Sequence, residues 1–299
     1  MIKSVTPVLS ILSCLILVSA CDSNDVSSES PIVLDFAAKV NNTDFVCGDT
    51  YSGVGTNNND YTVTDFRLYV HDVHIHDEAS GVEYEVALSQ DGVFQLDGLA
   101  LLDFENGCNA GTTQTNTMIA GTVTTPQSVD LSNTEVCFTL GVPEDMNHTD
   151  ASTAASPLND VSMLWAWKIG RKYLRIDGVG DPAGTNLPFN IHLGAQGDCG
   201  TGAATVAPTQ SCTVPNTVEV CVQNMNVNTD TIVIDPVNVL EASDISTTLG
   251  GTNNKHGCQS FANDDDCIEV MPRLGLDYNY GNGSSTSAYS GEQRLFSKQ

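Results

Sequence analysis

Apolar residues in this chain recur at every second position, in short runs separated by Gly, Asn and Asp. Period two places alternate side chains on one face of a strand, so the pattern predicts β-structure rather than helix. Residues 32–40 read as a first strand, and 61–76 as a long strand with one fault. In the long one Phe66, Leu68 and Val70 share a parity, whereas Val73 and Ile75 take the other. One extra residue near His71-Asp72 restores the alternation, which is what a β-bulge does. Val136, Phe138 and Leu140 form a further alternating set, as do Val218, Val220 and Val222, then Ile232 and Ile234. Residues 294–297 predict a closing strand after a Gly/Ser/Tyr-rich loop at 277–292. Helical signals are confined to 158–164 and 237–243. Many short strands with turn residues between them predict an all-β fold, an antiparallel sandwich or barrel-like domain with few short helices. No internal repeat or composition break divides it, so a single domain over 31–299 is expected.

The tryptophans depart from this even pattern. The chain has only two, Trp165 and Trp167, inside MLWAWKIGRKYLRIDG. On a strand, residues two apart share a face, so both indoles are expected side by side. One reading is an aromatic plug in a β core. The other is a redox or metal site, since Trp is the apolar side chain easiest to oxidise.

The N-terminus carries Lys3, then an apolar run over 8–18, then Val18-Ser19-Ala20-Cys21. The run is too short for a permanent span and fits a signal peptide over 1–20. A small residue before Cys resembles a lipobox, so Cys21 is expected to carry lipid and anchor the chain to a membrane. Ordinary cleavage near Ala20 is the rival. Residues 21–30 then form a lipidated, polar, flexible tether. With 37 acids against 11 bases the net charge is −26, which argues against nucleic acid and anionic membrane surfaces as partners.

Ten cysteines, less Cys14 in the leader and Cys21, leave eight, an even number that implies disulfides in an exported protein. No CxxC is present, which argues against a structural zinc site. Loop length favours Cys199–Cys212 and Cys258–Cys267. For the other four, Cys47–Cys108 with Cys137–Cys221 is one arrangement among those allowed.

There are six histidines. His74 and His76 lie two apart, a spacing that lets two imidazoles on one strand reach one metal. Should Val73 and Ile75 face the core, that pair instead faces solvent and needs no ligand. His71 lies on the same strand, and His148 and His192 each follow or interrupt an apolar segment. His256 carries no assigned role. Asp264-Asp265-Asp266 and the acidic-amide run 57–60 are oxygen-rich enough for calcium, but neither has EF-hand spacing, and solvated loops are the plainer reading. GxSxG, HExxH and P-loop motifs are absent, so no hydrolase chemistry is supported.

Several uncommon blocks occur in order: FVCGDTYSG, DFRLYVHDV, LALLDFENGC, GVPEDMNHTD, SPLNDVSMLWAWKIGRKYLRIDG, FNIHLGAQGDCG, GCQS with DDDC, and LGLDY. Together they resemble the MbnP-like family over nearly the whole mature chain, about 32–296. That resemblance makes Cys199, Cys212, Cys258 and Cys267 the family's four-cysteine pattern and Trp165-Ala166-Trp167 its Trp-x-Trp motif. It implies a copper-binding protein, not an enzyme, acting in the periplasm or on the outer surface of a Gram-negative bacterium. It implies a partner, a di-haem cytochrome c peroxidase-like (MbnH-like) protein, that oxidises a tryptophan to kynurenine. The chemistry is coherent: indole N–H is only a donor, whereas ring opening frees an aromatic amine whose lone pair, with imidazole, suits copper. His148 and His192 fall in family-like blocks; His71, His74 and His76 sit in a family-like strand, as extra metal ligands or as local decoration. A surface β module that binds protein or glycan, and a calcium-stabilised extracellular domain, remain as alternatives.

Overall fold

The computed structural model describes residues 26–108, 113–248, 256–279, 287 and 289–299; the expected leader, Cys14 and the lipidation candidate Cys21 lie outside them. The chain begins with β1 (Ser27–Val40) and β2 (Thr43–Asp44), then β3 (Thr50–Val54) and the 19-residue β4 (Asn59–Asp77). Next come β5 (Val82–Leu88), β6 (Gln95–Leu96), β7 (Leu99–Asp103), β8 (Met118–Pro126) and β9 (Thr134–Leu140). A short helix α1 (Glu144–Asn147) and a 3-10 turn (Val161–Met163) precede the hairpin strands β10 (Leu164–Ala166) and β11 (Gly170–Arg171). After these run β12 (Leu174–Gly180), β13 (Leu187–Pro188), β14 (Ile191–Leu193), β15 (Val218–Met225) and β16 (Thr231–Ile234). Helices α2 (Val237–Leu240) and α3 (Cys267–Arg273) and strand β17 (Phe296–Lys298) close the chain.

β4 organises the molecule. Its first half pairs with β3, β12 and β7, and its second half with β5 and β9. The switch falls where the alternation fails: the β4–β9 register shifts between His71 and His74, and Asp72 takes φ +54°. The predicted bulge is therefore present, and it bends one strand between two sets of partners. From β5 the ladder continues through β8, β1, β16 and β17. Phe138 of β9 meets Phe36 of β1 edge-to-face at 5.8 Å and Phe296 of β17 at 5.1 Å, so the two halves face each other across a core. Ile32, Leu34 and Phe36 point into that core while their neighbours on β1 face out. The fold is all-β and stapled by disulfides between Cys47 and Cys108, Cys137 and Cys221, Cys199 and Cys212, and Cys258 and Cys267. These are the four pairs named above.

Several expectations need correction. The first strand starts at Ser27, so Ser27–Ser30 pair with β8 instead of forming a tether. The β1–β16 pairing is parallel within an otherwise antiparallel arrangement. The helix expected over 158–164 shrinks to the 3-10 turn, and only four residues of 237–243 form α2. Phe66 to Val70 are buried on both faces of β4, because the segment 141–173 lies over the face that carries Arg67 and Tyr69. Tyr69 donates to Pro157 O at 2.9 Å, and Arg67 to Asp160 Oδ2 at 2.8 Å.

Candidate metal centre

That covering segment holds the tryptophans. Only Trp165 lies in a strand; Trp167 occupies the turn between β10 and β11. The expected side-by-side pair is thus split, because a three-residue strand ends before the second indole. Trp165 packs its ring 6.3 Å edge-on to His192 and 5.6 Å from Phe261. A Cβ on Gly194 would stand 2.5 Å from Trp165 Cζ3, so the indole rests directly on β14's exit. Trp167 donates from Nε1 to His148 O at 2.8 Å. A cavity of about 410 Å³, lined by both indoles, Leu164, Val161, Ala151 and Thr205, opens at the hairpin.

Each histidine of this pair has one nitrogen fixed. His148 Nδ1 lies 3.3 Å from Trp167 O, an acceptor, so that nitrogen carries the proton. Its Nε2 then offers a lone pair, faced by Asn147 Nδ2 at 3.3 Å, Glu144 Oε1 at 3.7 Å and Cys212 Sγ at 3.9 Å. His192 is arranged the other way round. Its Nε2 lies 2.5 Å from Asp177 Oδ1, and its Nδ1 is buried with no hydrogen-bond partner. Burial lowers the His192 pKa below the ordinary histidine value. Asp177 stays well below the usual carboxylate range: burial works against ionisation, but His192 and Arg175 outweigh it. An imidazole with one nitrogen pinned and the other bare, as in His192, is the form that binds a metal.

Two disulfides flank the pair. Cys212, bonded to Cys199, approaches His148. Cys258, bonded to Cys267, has its carbonyl bound by His192 N at 2.8 Å, and Ser260 Oγ donates to His192 O at 2.8 Å. Arg171, which is fully buried, joins the halves. Its guanidinium donates to the carbonyls of Met146, Asn147, Thr149 and Leu158, and its backbone N–H to Asn147 Oδ1 at 2.7 Å. It therefore locks the α1 end, and with it His148, against the hairpin.

The other sequence candidates lie in different settings. His74 and His76 sit beyond the bulge. His74 is 9% exposed rather than solvated, with Nε2 4.0 Å from Glu219 Oε1, and His76 Nδ1 lies 2.5 Å from Glu135 Oε2. Each thus meets its own carboxylate. His71 has Nε2 buried without a partner, and burial lowers its pKa. Asp264 and Asp266 are buried instead of forming a solvated loop, and they accept from Gln259 N and Thr248 Oγ1. Asp60 accepts from Ser52 Oγ. Two clusters, Cys47–Glu105–Cys108 and Glu135–Cys137–Cys221, bring three potential ligand atoms within 4.8 Å, but their sulfurs are in disulfides and offer no thiolate.

Sequence reading missed Asp177, Arg171 and Asn147, all inside or beside family-like blocks. It also gave no role to His256, whose Nδ1 is buried without a partner and whose carbonyl accepts from Asn190 N at 3.1 Å. The only available signal was charge in apolar surroundings: Arg171, Lys172 and Arg175 supply three of the chain's 11 bases within five residues.

No helix among the described residues is long and apolar enough to cross a membrane. Among curated proteins none matches this sequence. A solved structure, MbnP from Methylosinus trichosporium, superposes with a TM-score of 0.73 at 26% identity, covering 91% of this chain and 98% of that one. The MbnP family profile matches residues 29–260, a span that contains the hairpin, both flanking histidines and all but one of the paired cysteines. The chain belongs to the MbnP family.

Proposed function

We propose that the protein is an exported copper carrier, chaperone or scavenger that holds the metal at the tryptophan hairpin. One observation carries this reading: His148 and His192 contact the two tryptophans, each has one nitrogen pinned by an acceptor, and His192 Nδ1 is buried without a partner. Imidazole nitrogens suit copper better than calcium, and no thiolate competes, because the eight described cysteines are paired. Copper here would be cargo, and the chain itself would perform no catalysis.

A third ligand would come from Trp165. Its indole nitrogen cannot ligate while it carries its proton. Conversion to kynurenine, with peroxide as the oxidant and oxygen source, releases the indole C2 carbon as formate and leaves an aromatic amine beside the His192 ring. Trp167 is less suited, since its N–H is already donated to His148 O. A di-haem, peroxidase-like partner would supply the oxidising equivalents. Four disulfides support an oxidising, extracytoplasmic setting. Lipid at Cys21 would then tether the domain to a membrane.

Mass spectrometry of the mature protein, with metal analysis on the same sample, tests this. The expected result is one carbon exchanged for one oxygen on the Trp165 peptide and about one copper per chain. An unmodified peptide without copper, from cells that make the haem partner, would overturn it.

A further inference from the structure

The sheet beneath the hairpin carries a buried array of charge that ends at His192. In the β4–β12 ladder Arg175 lies opposite Arg67, and Asp177 opposite Asp65. In the β12–β14 ladder Arg175 lies opposite His192. Residues two apart on a strand share a face, so Asp65, Arg67, Arg175, Asp177 and His192 occupy one surface across three strands. Like charges directly opposite are costly, and the array offsets this with ion pairs along and between the strands. Arg67 is ion-paired to Asp65 on its own strand. Arg175 reaches Asp65 Oδ2 at 3.3 Å and Asp177 Oδ2 at 2.6 Å. Arg67 also reaches Asp160 Oδ2 at 2.8 Å, so each arginine is held by two carboxylates.

We infer that Asp177 is a positioning residue that fixes His192 with its proton on Nε2 and its Nδ1 lone pair bare for the metal. This rests on the copper reading above but makes a separate claim about the metal-free protein. Arg175 occupies Oδ2, which aims Oδ1 at His192 Nε2 at 2.5 Å. An ionised carboxylate only accepts, so the proton of a neutral imidazole must sit on Nε2. His192 is anchored at its backbone, and its buried ring packs against Trp165. Its backbone N–H is bound to Cys258 O, its carbonyl accepts from Ser260 Oγ, and its face meets Trp165. Metal-bound histidines commonly depend on such a carboxylate behind them, and losing it typically weakens binding about 10–100-fold. Replacing a carboxylate with an amide behind a histidine can also reverse the tautomer, as it does in serine proteases.

The test is nitrogen-15 NMR of the His192 ring in the metal-free full mature chain, wild type and Asp177→Asn, with copper(I) affinity measured by competition against bicinchoninate. Wild type should show a protonated Nε2 and a bare Nδ1. In Asp177→Asn the amide donates to Nε2, so the proton should move to Nδ1 and copper(I) affinity should fall about 10–100-fold. Asp177→Glu, which keeps an acceptor, should restore the wild-type tautomer and part of the affinity. A wild-type ring protonated on Nδ1 overturns the inference whether or not the variants fold. So does an Asp177→Asn protein that binds copper(I) as tightly as wild type. A matured wild type that takes up no copper defeats the copper reading instead, and the ring tautomer alone then decides the role of Asp177.

Discussion

At the scale of single residues the site depends on polar groups with no slack. Arg171 satisfies four carbonyls without any carboxylate partner, so burial lowers its pKa and the lost hydrogen bonds have no substitute. Arg171→Met should leave those carbonyls short of donors and cost about 3 kcal/mol or more, read from the urea midpoint. A loss under about 1 kcal/mol would mean that water replaces the guanidinium. The two tryptophans should separate cleanly. Trp165→Phe should abolish the carbon-for-oxygen change in mass, and Trp167→Phe should keep it while loosening His148. The opposite pattern would assign the proposed maturation to Trp167.

At the scale of elements, two glycines shape the hairpin's surroundings. Gly170 takes φ +89°, and a Cβ there would lie 2.4 Å from Asn147 Oδ1. Gly170→Ala therefore combines backbone strain with a clash, and a loss of about 1–3 kcal/mol is expected. Gly194→Ala places a methyl group against Trp165, so the indole must leave His192. Tryptophan fluorescence should shift although far-ultraviolet circular dichroism does not. An unchanged emission spectrum would show that the ring contact does not depend on Gly194. The bulge in β4 was legible at this scale because period-two patterning reports its own faults. The hairpin was not: three-residue β10 is too short for a parity signal, so placing both indoles on one face extended a strand that the chain ends at Ala166.

At the scale of the whole molecule, disulfides and charge make opposed demands. Loop length predicts that losing Cys137–Cys221, 84 residues apart, costs about 4–5 kcal/mol, and losing Cys258–Cys267, nine apart, about 2–3 kcal/mol. The proposed copper binding should follow the reverse order, since Cys258 O accepts from His192 N–H. Equal effects on copper affinity would contradict this geometry. Stability should also respond to pH through Asp103 and Asp264, whose pKa values burial raises to about 7. A carboxyl group with a raised folded pKa stabilises the native state below its unfolded pKa, and that contribution disappears as pH climbs through about 7. Asp103→Asn should thus flatten the fall in melting temperature between roughly pH 4 and 8. Parallel curves for wild type and variant would rule the group out.

The sequence by itself determined the all-β class, the bulge, the number of cysteines available for pairing and, through rare ordered blocks, the family. These are local or compositional properties: side-chain parity, turn residues and cysteine count are written along the chain. Which histidines meet the tryptophans was decided only by the tertiary structure. His148 and His192 lie 44 positions apart, on α1's end and on β14, and Asp177 reaches His192 only because β12 and β14 pair. His74 and His76, whose spacing looked better for a ligand pair, fold against separate carboxylates. Spacing fixes the face a residue presents. What that face meets depends on strand order, and that is set by burial over the whole core.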